Sequence, residues 1–267
     1  MAKKFVITSG KGGVGKTTIC SGLGYAFAMN GYKTLLIDMD FGLNNLDILM
    51  GIENKIVYDI IDVLEGRCLP RNALIQDFFV PNLYTFPSTH GFCRIKFGAK
   101  ELMGIIDDLE NDFEYIIIDC PAGIDGGFRR AIACADEYVV VTTPHISAIR
   151  DANKVVDLVK NNRFNLDVNL YLIINRMRGD MVDSAEFISP EIIAKYLNVK
   201  LIGVVPEDDG IARQNFYESI CMSKSNSFQS FNLIVRNILN NQDNIFDYAK
   251  KYRGAIGGIR RKLRKWV

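Results

Sequence analysis

The sequence lacks the features expected of a secreted protein, a membrane-spanning protein or a metal-cluster carrier. Its six cysteines are scattered and form no C-x-x-C pair, which argues against a disulfide framework and against iron–sulfur ligands. No stretch approaches the eighteen or so apolar residues of a membrane span. No signal peptide is expected, because a buried strand begins close to Met1. The two histidines, His90 and His145, are predicted to be loop residues without a chemical role.

Charge is distributed unevenly along the 267 residues. Hydrophobic residues make up 48% of the chain, which is enough for the core of one large α/β domain or two small ones. The net charge is only +1, yet residues 250–267 hold eight basic residues and no acidic one. Residues 1–249 therefore hold 24 basic and 31 acidic residues. Because an acidic body binds nucleic acid poorly, no nucleic-acid partner is expected, and an anionic partner would bind at the basic C-terminus.

The strongest motif is a glycine-rich loop near the N-terminus that satisfies G-x-x-x-x-G-K-[ST], the phosphate-binding P-loop. A predicted strand, 4–9, precedes it and a predicted helix, 18–30, follows it. Glycines let successive backbone N–H groups point at phosphate oxygens, Lys16 supplies a positive charge, and Thr17 supplies a hydroxyl for Mg²⁺. The motif therefore predicts a nucleoside triphosphate and Mg²⁺ site, formed by Gly10, Lys11, Gly12, Gly13, Val14, Gly15, Lys16, Thr17 and Thr18.

Acidic side chains stand at the ends of two other apolar strands. Strand 33–38 ends at Asp38 and is followed by Asp40, and strand 114–119 ends at Asp119. Carboxylates at the carboxyl ends of parallel strands point toward the crevice where open α/β sheets bind ligands, and a carboxylate of this kind can meet a metal-bound water. The alternatives are an Asp-rich turn that caps a helix and a buried strand that ends in a capping Asp.

The remaining pattern predicts a doubly wound, mostly parallel α/β sheet flanked by helices, the P-loop NTPase fold. Further strands are predicted at 83–87, 137–144, 167–175 and 200–208, and helices at 55–66, 99–109, 147–161, 209–220 and 227–240.

The C-terminus is predicted to be an amphipathic helix that follows a polar linker, 241–253. Its apolar residues recur at helical spacing: Ile256, Ile259, Leu263, Trp266 and Val267. They fall within an arc of about 100°, and the cations after residue 259 lie outside it. This pattern is typical of a helix that lies in a membrane surface. The alternatives are a helix packed on the protein's own body and a nucleic-acid-binding tail.

We therefore divide the chain into a P-loop domain, 1–244, and a unit made of linker and membrane-targeting C-terminal amphipathic helix, 245–267. The predicted membrane contacts are Ile256, Ile259, Arg260, Arg261, Lys262, Leu263, Arg264, Lys265 and Trp266.

The P-loop holds a second lysine, Lys11, which an ordinary P-loop does not need. The run from Lys11 to Thr18 resembles the deviant Walker A motif of the MinD/ParA family of ATPases. In that family the early lysine reaches across a dimer interface to the partner's nucleotide. The resemblance therefore implies ATP as the nucleotide and a homodimer that forms with ATP.

The same resemblance gives roles to acidic and amide side chains. The run after strand 33–38 resembles the family's first switch, which implies that Asp40 lies near the magnesium-bound and attacking waters, that Asp38 supports it, and that Asn45 orders the closed loop. The catalytic set so implied is Lys11, Lys16, Asp38, Asp40 and Asn45, and the metal set is Thr17, Asp40 and Asp119.

The family's second switch and base-binding segments also have counterparts here. The D-x-P-A-G run that begins at Asp119 implies an outer-shell magnesium contact for that residue and γ-phosphate sensing by the backbone at Gly123. Asn175 matches the family's adenine-recognising asparagine, since an amide offers a donor and an acceptor in one plane. The other residues expected near the base are Arg176, Pro206, Glu207 and Asp208.

The run 147–152 resembles the MinD branch, where it carries part of the interface for partner proteins, and the residues so assigned are Asn45, Arg150 and Asp151. With the basic tail, the resemblance implies a membrane-cycling ATPase that regulates division-site placement by recruiting a MinC-like septum inhibitor. A MinE-like topological factor stimulates hydrolysis in some lineages. Such a protein is cytoplasmic, and peripheral on the inner face of the cell membrane when ATP-bound. The alternatives are a ParA-type DNA-segregation ATPase and a MinD-related flagellar-number regulator.

Overall fold

A computed structural model of the chain describes residues 1–41, 45–88, 97–161, 169–182, 184, 187–208, 216–217 and 225–253. Its strands are β1 Lys3–Thr8, β2 Thr34–Asp38, β3 Ile75–Gln76, β4 Leu83–Phe86, β5 Tyr115–Asp119, β6 Glu137–Thr142, β7 Asn169–Met177 and β8 Lys200–Pro206. Its α-helices are α1 Lys16–Met29, α2 Leu46–Met50, α3 Ile60–Leu64, α4 Ala99–Leu109, α5 Gly126–Ala133, α6 Ile146–Lys160, α7 Pro190–Leu197 and α8 Asn226–Asn240. Short 3₁₀ helices cover Glu53–Lys55, Pro70–Ala73, Gly179–Met181 and Lys250–Tyr252.

The described strands form one sheet in the order β3-β4-β2-β5-β1-β6-β7-β8. Every neighbouring pair is parallel except β3 with β4, which is antiparallel. The chain leaves β1 for β2 on one side, and later reaches β6 on the other side. This change of direction at β1 opens a crevice at its carboxyl end, where the P-loop begins. The predicted doubly wound, mostly parallel α/β fold is therefore confirmed.

The sheet separates two apolar cores because successive side chains of a strand point to opposite faces. In β5, Ile116 and Ile118 face one core, which α4, α5, α6 and α7 cover. Ile117 faces the other core, which α1 and α8 cover. All three isoleucines are almost completely buried. The continuous apolar runs of the strands thus reflect a sheet covered on both faces.

Helix α8 covers the last strand through polar as well as apolar contacts. Three of its side chains donate to carbonyls of alternate β8 residues: Ser227 Oγ to Pro206 at 3.3 Å, Ser230 Oγ to Val204 at 2.6 Å, and Asn237 Nδ2 to Ile202 at 3.0 Å. A Cβ on Gly203 would overlap the side chain of Ile234, so glycine is required for this close approach. An edge strand covered in this way offers little backbone to a foreign strand.

The helix predicted over 55–66 is shorter than expected. The structure has a 3₁₀ turn at Glu53–Lys55, and α3 begins only at Ile60. The reason is Asp59, whose Oδ1 accepts from the backbone N–H groups of Ile61 at 2.7 Å and Asp62 at 3.1 Å. An aspartate that caps in this way lies in extended backbone and so fixes where the helix starts.

Several expectations lie outside the described residues. They are the helix 209–220, of which only Phe216 and Tyr217 are described, His90, and the whole of the apolar and basic segment 254–267. The cysteines that are described, Cys20, Cys68, Cys120 and Cys134, are unpaired thiols. None of the described helices is both long and apolar enough to cross a membrane.

The predicted linker 241–253 packs against the domain. Asn237 Nδ2 donates to the carbonyl of Asn244 at 2.7 Å, and Ala249 and Tyr252 are buried. A Cβ on Gly179 would overlap the carbonyl of Tyr248, so the two segments touch through their backbones. The segment therefore follows the surface of the domain as far as residue 253, and a separate role for 245–267 stays a prediction.

Candidate active site

The P-loop connects β1 to α1 at the carboxyl edge of the sheet. Gly13 and Gly15 have φ angles of 77° and 94°, in the left-handed region that favours glycine. A Cβ on Gly15 would overlap the amide nitrogen of Asn175. The loop therefore takes its shape from glycine conformations, and the first turn of α1 follows directly at Lys16. Its backbone N–H groups and the N-terminus of α1 suit the binding of phosphate.

The root of the loop rests on α6. A Cβ on Gly10 would overlap the carbonyl of Asp151, and Ser9 Oγ donates to the carbonyl of Lys11 at 2.9 Å. Gly10 therefore permits a close approach between the loop and a helix more than 130 residues away in sequence. The P-loop pattern alone gives no signal for this contact.

The two lysines of the loop lie in different environments. The Lys16 side chain is buried, and its charge acts on both Asp40 and Asp119. Lys11 is exposed, and its Nζ lies 3.2 Å from Ser147 Oγ in the first turn of α6. Only Lys16 is therefore placed among the acidic groups of its own site.

Two buried carboxyl groups face each other at the ends of neighbouring strands. Asp38 of β2 and Asp119 of β5 are paired in the sheet register. Burial, and then the charge of Asp119, raises the pKa of Asp38 to about 8. Burial raises the pKa of Asp119 to about 6, although a hydrogen bond from Thr17 and the charge of Lys16 oppose the rise. Asp38 therefore keeps its proton at neutral pH, because the cations of the site do not compensate a second buried negative charge.

The geometry fits a divalent cation beside Thr17. Asp38 Oδ2 and Asp119 Oδ1 are buried and have no hydrogen-bond partner among the described residues. Buried oxygens of this kind need a donor or a cation, and Mg²⁺ is bound by one or two carboxylates, water and substrate phosphates. No group of three or more His, Cys, Asp or Glu side chains that could hold a metal occurs among the described residues, so phosphate and water oxygens would supply the other ligands.

Asp40 and Asn45 flank a segment, 42–44, that lies outside the described residues. Asp40 is half-buried, and its backbone N–H donates to Asp38 Oδ1 at 2.9 Å. Burial raises the pKa of Asp40, and the charge of Lys16 lowers it in part. Asn45 is exposed where α2 begins. Asp38 thus holds the backbone of Asp40, as its predicted supporting role requires, whereas the catalytic role of Asn45 stays a prediction.

Asn175 makes a contact that the sequence did not indicate. Its side chain is almost completely buried at 2% exposure, and Nδ2 donates to the carbonyl of Val14 at 2.8 Å. Its Oδ1 has no partner among the described residues. The Asn175 amide therefore holds the P-loop backbone at Val14 in place. Its contact with adenine stays a prediction.

The other residues expected near the base lie at the carboxyl ends of β7 and β8. Arg176 is exposed with a left-handed φ of 54°. The Glu207 backbone N–H donates to the carbonyl of Met177 at 3.1 Å, which joins the two strand ends. Arg178 links them further, with 2.6 Å to the buried Asp180 and 3.8 Å to Glu207. The sequence analysis missed Arg178 and Asp180, and only their position after the strand hints at this role.

The remaining predicted residues lie around the same edge. Pro206 is buried at the end of β8, Asp208 is partly exposed, and Gly123 has a φ of 93° in the loop between β5 and α5. Arg150 is exposed on α6, and Asp151 is paired with Lys154 at 2.9 Å. The contact of Asp151 with the root of the P-loop places this part of α6 directly beside the site.

Comparisons with known proteins agree with this geometry. Residues 5–219 match the family described as the CobQ/CobB/MinD/ParA nucleotide binding domain. The chain is 41% identical over 266 residues to septum site-determining protein MinD of Synechocystis, with 98% of this chain and 99% of that protein covered. It is 37% identical over 263 residues to MinD of Bacillus subtilis, with 97% of each covered.

Solved structures give the same picture. A MinC:MinD cell division complex of Aquifex aeolicus contains a chain with a TM-score of 0.81 and 36% identity, covering 90% of this chain and 97% of that one. MinD of Pyrococcus horikoshii, complexed with Mg-ADP, has a TM-score of 0.77 and 29% identity, with 89% and 96% covered. A ParA family ATPase from Chlorobium tepidum has a TM-score of 0.73 at 21% identity, with 89% and 98% covered, which shows a shared fold.

Fold and site together define a P-loop nucleoside triphosphatase with a second lysine in its loop. The chain belongs to the MinD proteins of the CobQ/CobB/MinD/ParA family. It is therefore an ATPase of the kind that determines the division site. ATP and Mg²⁺ are its cofactors, and the P-loop and the two unpaired carboxylate oxygens fit both.

Proposed function

We propose that this ATPase dimerises when it binds ATP, attaches to the inner face of the cell membrane through its C-terminal tail, and there recruits a MinC-like inhibitor of septum formation. The observation that carries the proposal is the separation of the two lysines. Lys16 is buried among the acidic groups of its own site, whereas Lys11 is exposed and contacts Ser147. A lysine on the outer side of the loop can reach the nucleotide of a second subunit.

Within one subunit, the described contacts support distinct roles. Lys16 and the loop backbone hold phosphate oxygens, and Thr17 with Asp119 holds the magnesium ion. Mg²⁺ held there would supply positive charge beside the phosphoryl group that is transferred. Asp40, whose backbone is held by Asp38, orients the attacking water, and Gly123 offers its backbone to the γ-phosphate. Asn175 holds the loop in position through Val14.

Membrane attachment depends on the tail, 254–267, which lies outside the described residues. Burying four large apolar side chains contributes roughly 2 kcal/mol each, and five cations near anionic lipid contribute roughly 1 kcal/mol each. Ordering about ten residues costs roughly 1–1.5 kcal/mol each, which nearly cancels this gain. One tail therefore binds weakly, whereas two tails on a dimer gain on the order of 10²–10⁴ in affinity from effective concentration. Dimerisation by ATP would thus control attachment.

Recruitment is proposed for the exposed surface around Arg150 and Asp151. These residues lie on α6, which touches both the root of the P-loop and Lys11. A partner that binds there would therefore sense the state of the nucleotide loop. The Aquifex aeolicus relative, solved in a complex with MinC, supports an inhibitor of the MinC type as this partner. A MinE-like factor that stimulates hydrolysis could use the same surface.

Co-sedimentation tests the proposal. The protein is mixed with anionic liposomes or with duplex DNA, each with ATP and with ADP. We expect sedimentation with liposomes in ATP, much less in ADP, and a loss on Ile259→Glu, because a carboxylate would have to enter the apolar layer. Sedimentation with DNA but not with liposomes would contradict the proposal and favour a ParA-type segregation ATPase.

A further inference from the structure

An apolar groove lies between α6 and α7. It has a volume of about 300 Å³, and six apolar side chains and one arginine line it. Ile146 and Ile149 form the α6 wall, while Ile192 and Tyr196 form the α7 wall. Ile146, Ile192 and Tyr196 are 62%, 60% and 59% exposed, and they form one apolar patch rather than isolated surface side chains. The groove lies on the surface, and the chemistry of the nucleotide site does not require it.

The described chain ends close to this groove. Tyr248 packs against Phe187, with ring centroids 6.5 Å apart, and both belong to the apolar cluster that includes Ile188, a residue of the groove wall. Burial, and next the charge of Glu191 on the first turn of α7, raises the pKa of Tyr248. Arg253, the last described residue, is paired with Asp247 at 2.9 Å. Tyr248 thus places the segment 247–253 near the first turn of α7.

The remaining residues, 254–267, have the length and the pattern to occupy the groove. Fourteen residues reach about 21 Å as a helix, longer than the eight-residue α7. In a helix, their apolar stripe would present Leu263 and Trp266 on one face and their cations on the other. The groove has room for a few of these side chains. Arg150 is the only charged residue that lines the groove, and the cations of a helical tail bound there would point to solvent.

We propose that the groove between α6 and α7 holds the protein's own C-terminal tail when no membrane is engaged, with Leu263 and Trp266 inserted between the two helices. This inference rests on the proposed function, since it makes the groove and the membrane compete for one apolar stripe. The α6 wall adjoins the nucleotide loop, because Ile146 precedes Ser147, which Lys11 contacts. Movement of Lys11 toward a second subunit would therefore disturb the groove and release the tail.

Trp266 is the only tryptophan in the chain, so its fluorescence reports on the tail alone. The test compares the emission of nucleotide-free, full-length protein in the absence of lipid with that of the same protein unfolded in urea. We expect emission at shorter wavelength in the native protein. Ile192→Asp and Ile146→Asp, one on each wall, should shift the emission to longer wavelength and increase acrylamide quenching. Val57→Asp is the matched control, because Val57 is 79% exposed and does not line the groove.

The same variants give a second readout. Releasing the tail should increase the fraction of protein bound to anionic liposomes in ADP, where the wild type binds little, and Val57→Asp should not. Native emission equal to that of the unfolded protein overturns the inference. The inference is also overturned if the native emission shows a buried Trp266 but both wall variants leave that emission unchanged, because the tail would then pack elsewhere. Shielding that is lost on dilution points to a second copy and contradicts an intramolecular contact.

These outcomes are separate from a failure of the proposed function. A tail exposed at all times that still binds liposomes only with ATP overturns the groove inference and leaves ATP-dependent attachment intact. The absence of liposome binding under every condition contradicts the proposed function itself. Far-UV circular dichroism and ATP binding of each variant establish that the fold is kept, since both mutated wall residues are largely exposed.

Discussion

Binding of Mg²⁺ and ATP should release about one proton per site at pH 7. The pKa of Asp38 is about 8 and that of Asp119 is about 6 in the nucleotide-free protein. At pH 7 the first carboxyl group is therefore mainly protonated and the second mainly ionised. A cation beside Thr17 favours the charged form of both groups, so about one proton leaves the pair when the cation binds. Because both pKa values are raised, protons are released on binding rather than taken up.

Isothermal titration calorimetry in two buffers of different ionisation enthalpy measures this release. The observed enthalpy plotted against the buffer's ionisation enthalpy has a slope equal to the number of protons exchanged. Asp38→Asn should remove most of the release, and titration with ATP in EDTA controls for the nucleotide alone. The release should also fall as the pH rises above 8, where Asp38 is already ionised. An equal release from Asp38→Asn, or proton uptake at pH 7, would refute the reasoning.

Three further predictions follow from the same contacts. Gly15→Ala should abolish nucleotide binding in calorimetry, because the left-handed φ of Gly15 and the neighbouring Asn175 amide leave no room for a Cβ. The control is Gly31→Ala, where φ is 96° and a Cβ would meet open space. This variant should lower the free energy of unfolding by about 1–2 kcal/mol and leave nucleotide binding unchanged. Asn237→Ala should lower the free energy of unfolding by about 2–4 kcal/mol in urea titrations, since it removes three hydrogen bonds at the edge of the sheet, and a loss below 0.5 kcal/mol would be inconsistent with that role. Asp40→Ala should lose hydrolysis more than nucleotide binding in a phosphate-release assay, because the P-loop supplies most phosphate contacts; turnover near wild type would remove Asp40 from the mechanism.

The central strands could be predicted because each combines an apolar run with a polar end. Strand β5 contains three buried isoleucines and ends at Asp119, so composition alone locates both the strand and its place in the site. The P-loop is equally local, since glycines and lysine at fixed spacing determine its conformation. Short or mixed elements carry no such signal. The two residues of β3 are too few for a period, and Asp59 shortens the helix predicted over 55–66 by a side-chain hydrogen bond that spacing does not reveal.

Contacts between distant segments could not be predicted from one sequence. The hydrogen bond from Asn175 to Val14 joins residues 161 positions apart, and that from Lys11 to Ser147 joins residues 136 apart. Both depend on how the strands are ordered in the sheet. The raised pKa of Asp38 likewise depends on Asp119 in the neighbouring strand. The sequence alone singled out Asn175, Lys11 and Asp38 as site residues. The residues that they contact are determined by the fold.

We expect ATP to assemble two subunits through Lys11. Static light scattering of the full-length protein with ATP and with ADP measures it most directly, using Lys11→Ala and, as the matched control, Lys100→Ala, an exposed lysine on α4. We expect the wild type and Lys100→Ala to double in mass with ATP and to stay monomeric with ADP. Lys11→Ala should bind ATP in calorimetry yet remain a monomer. Full dimerisation of Lys11→Ala with ATP would contradict the account.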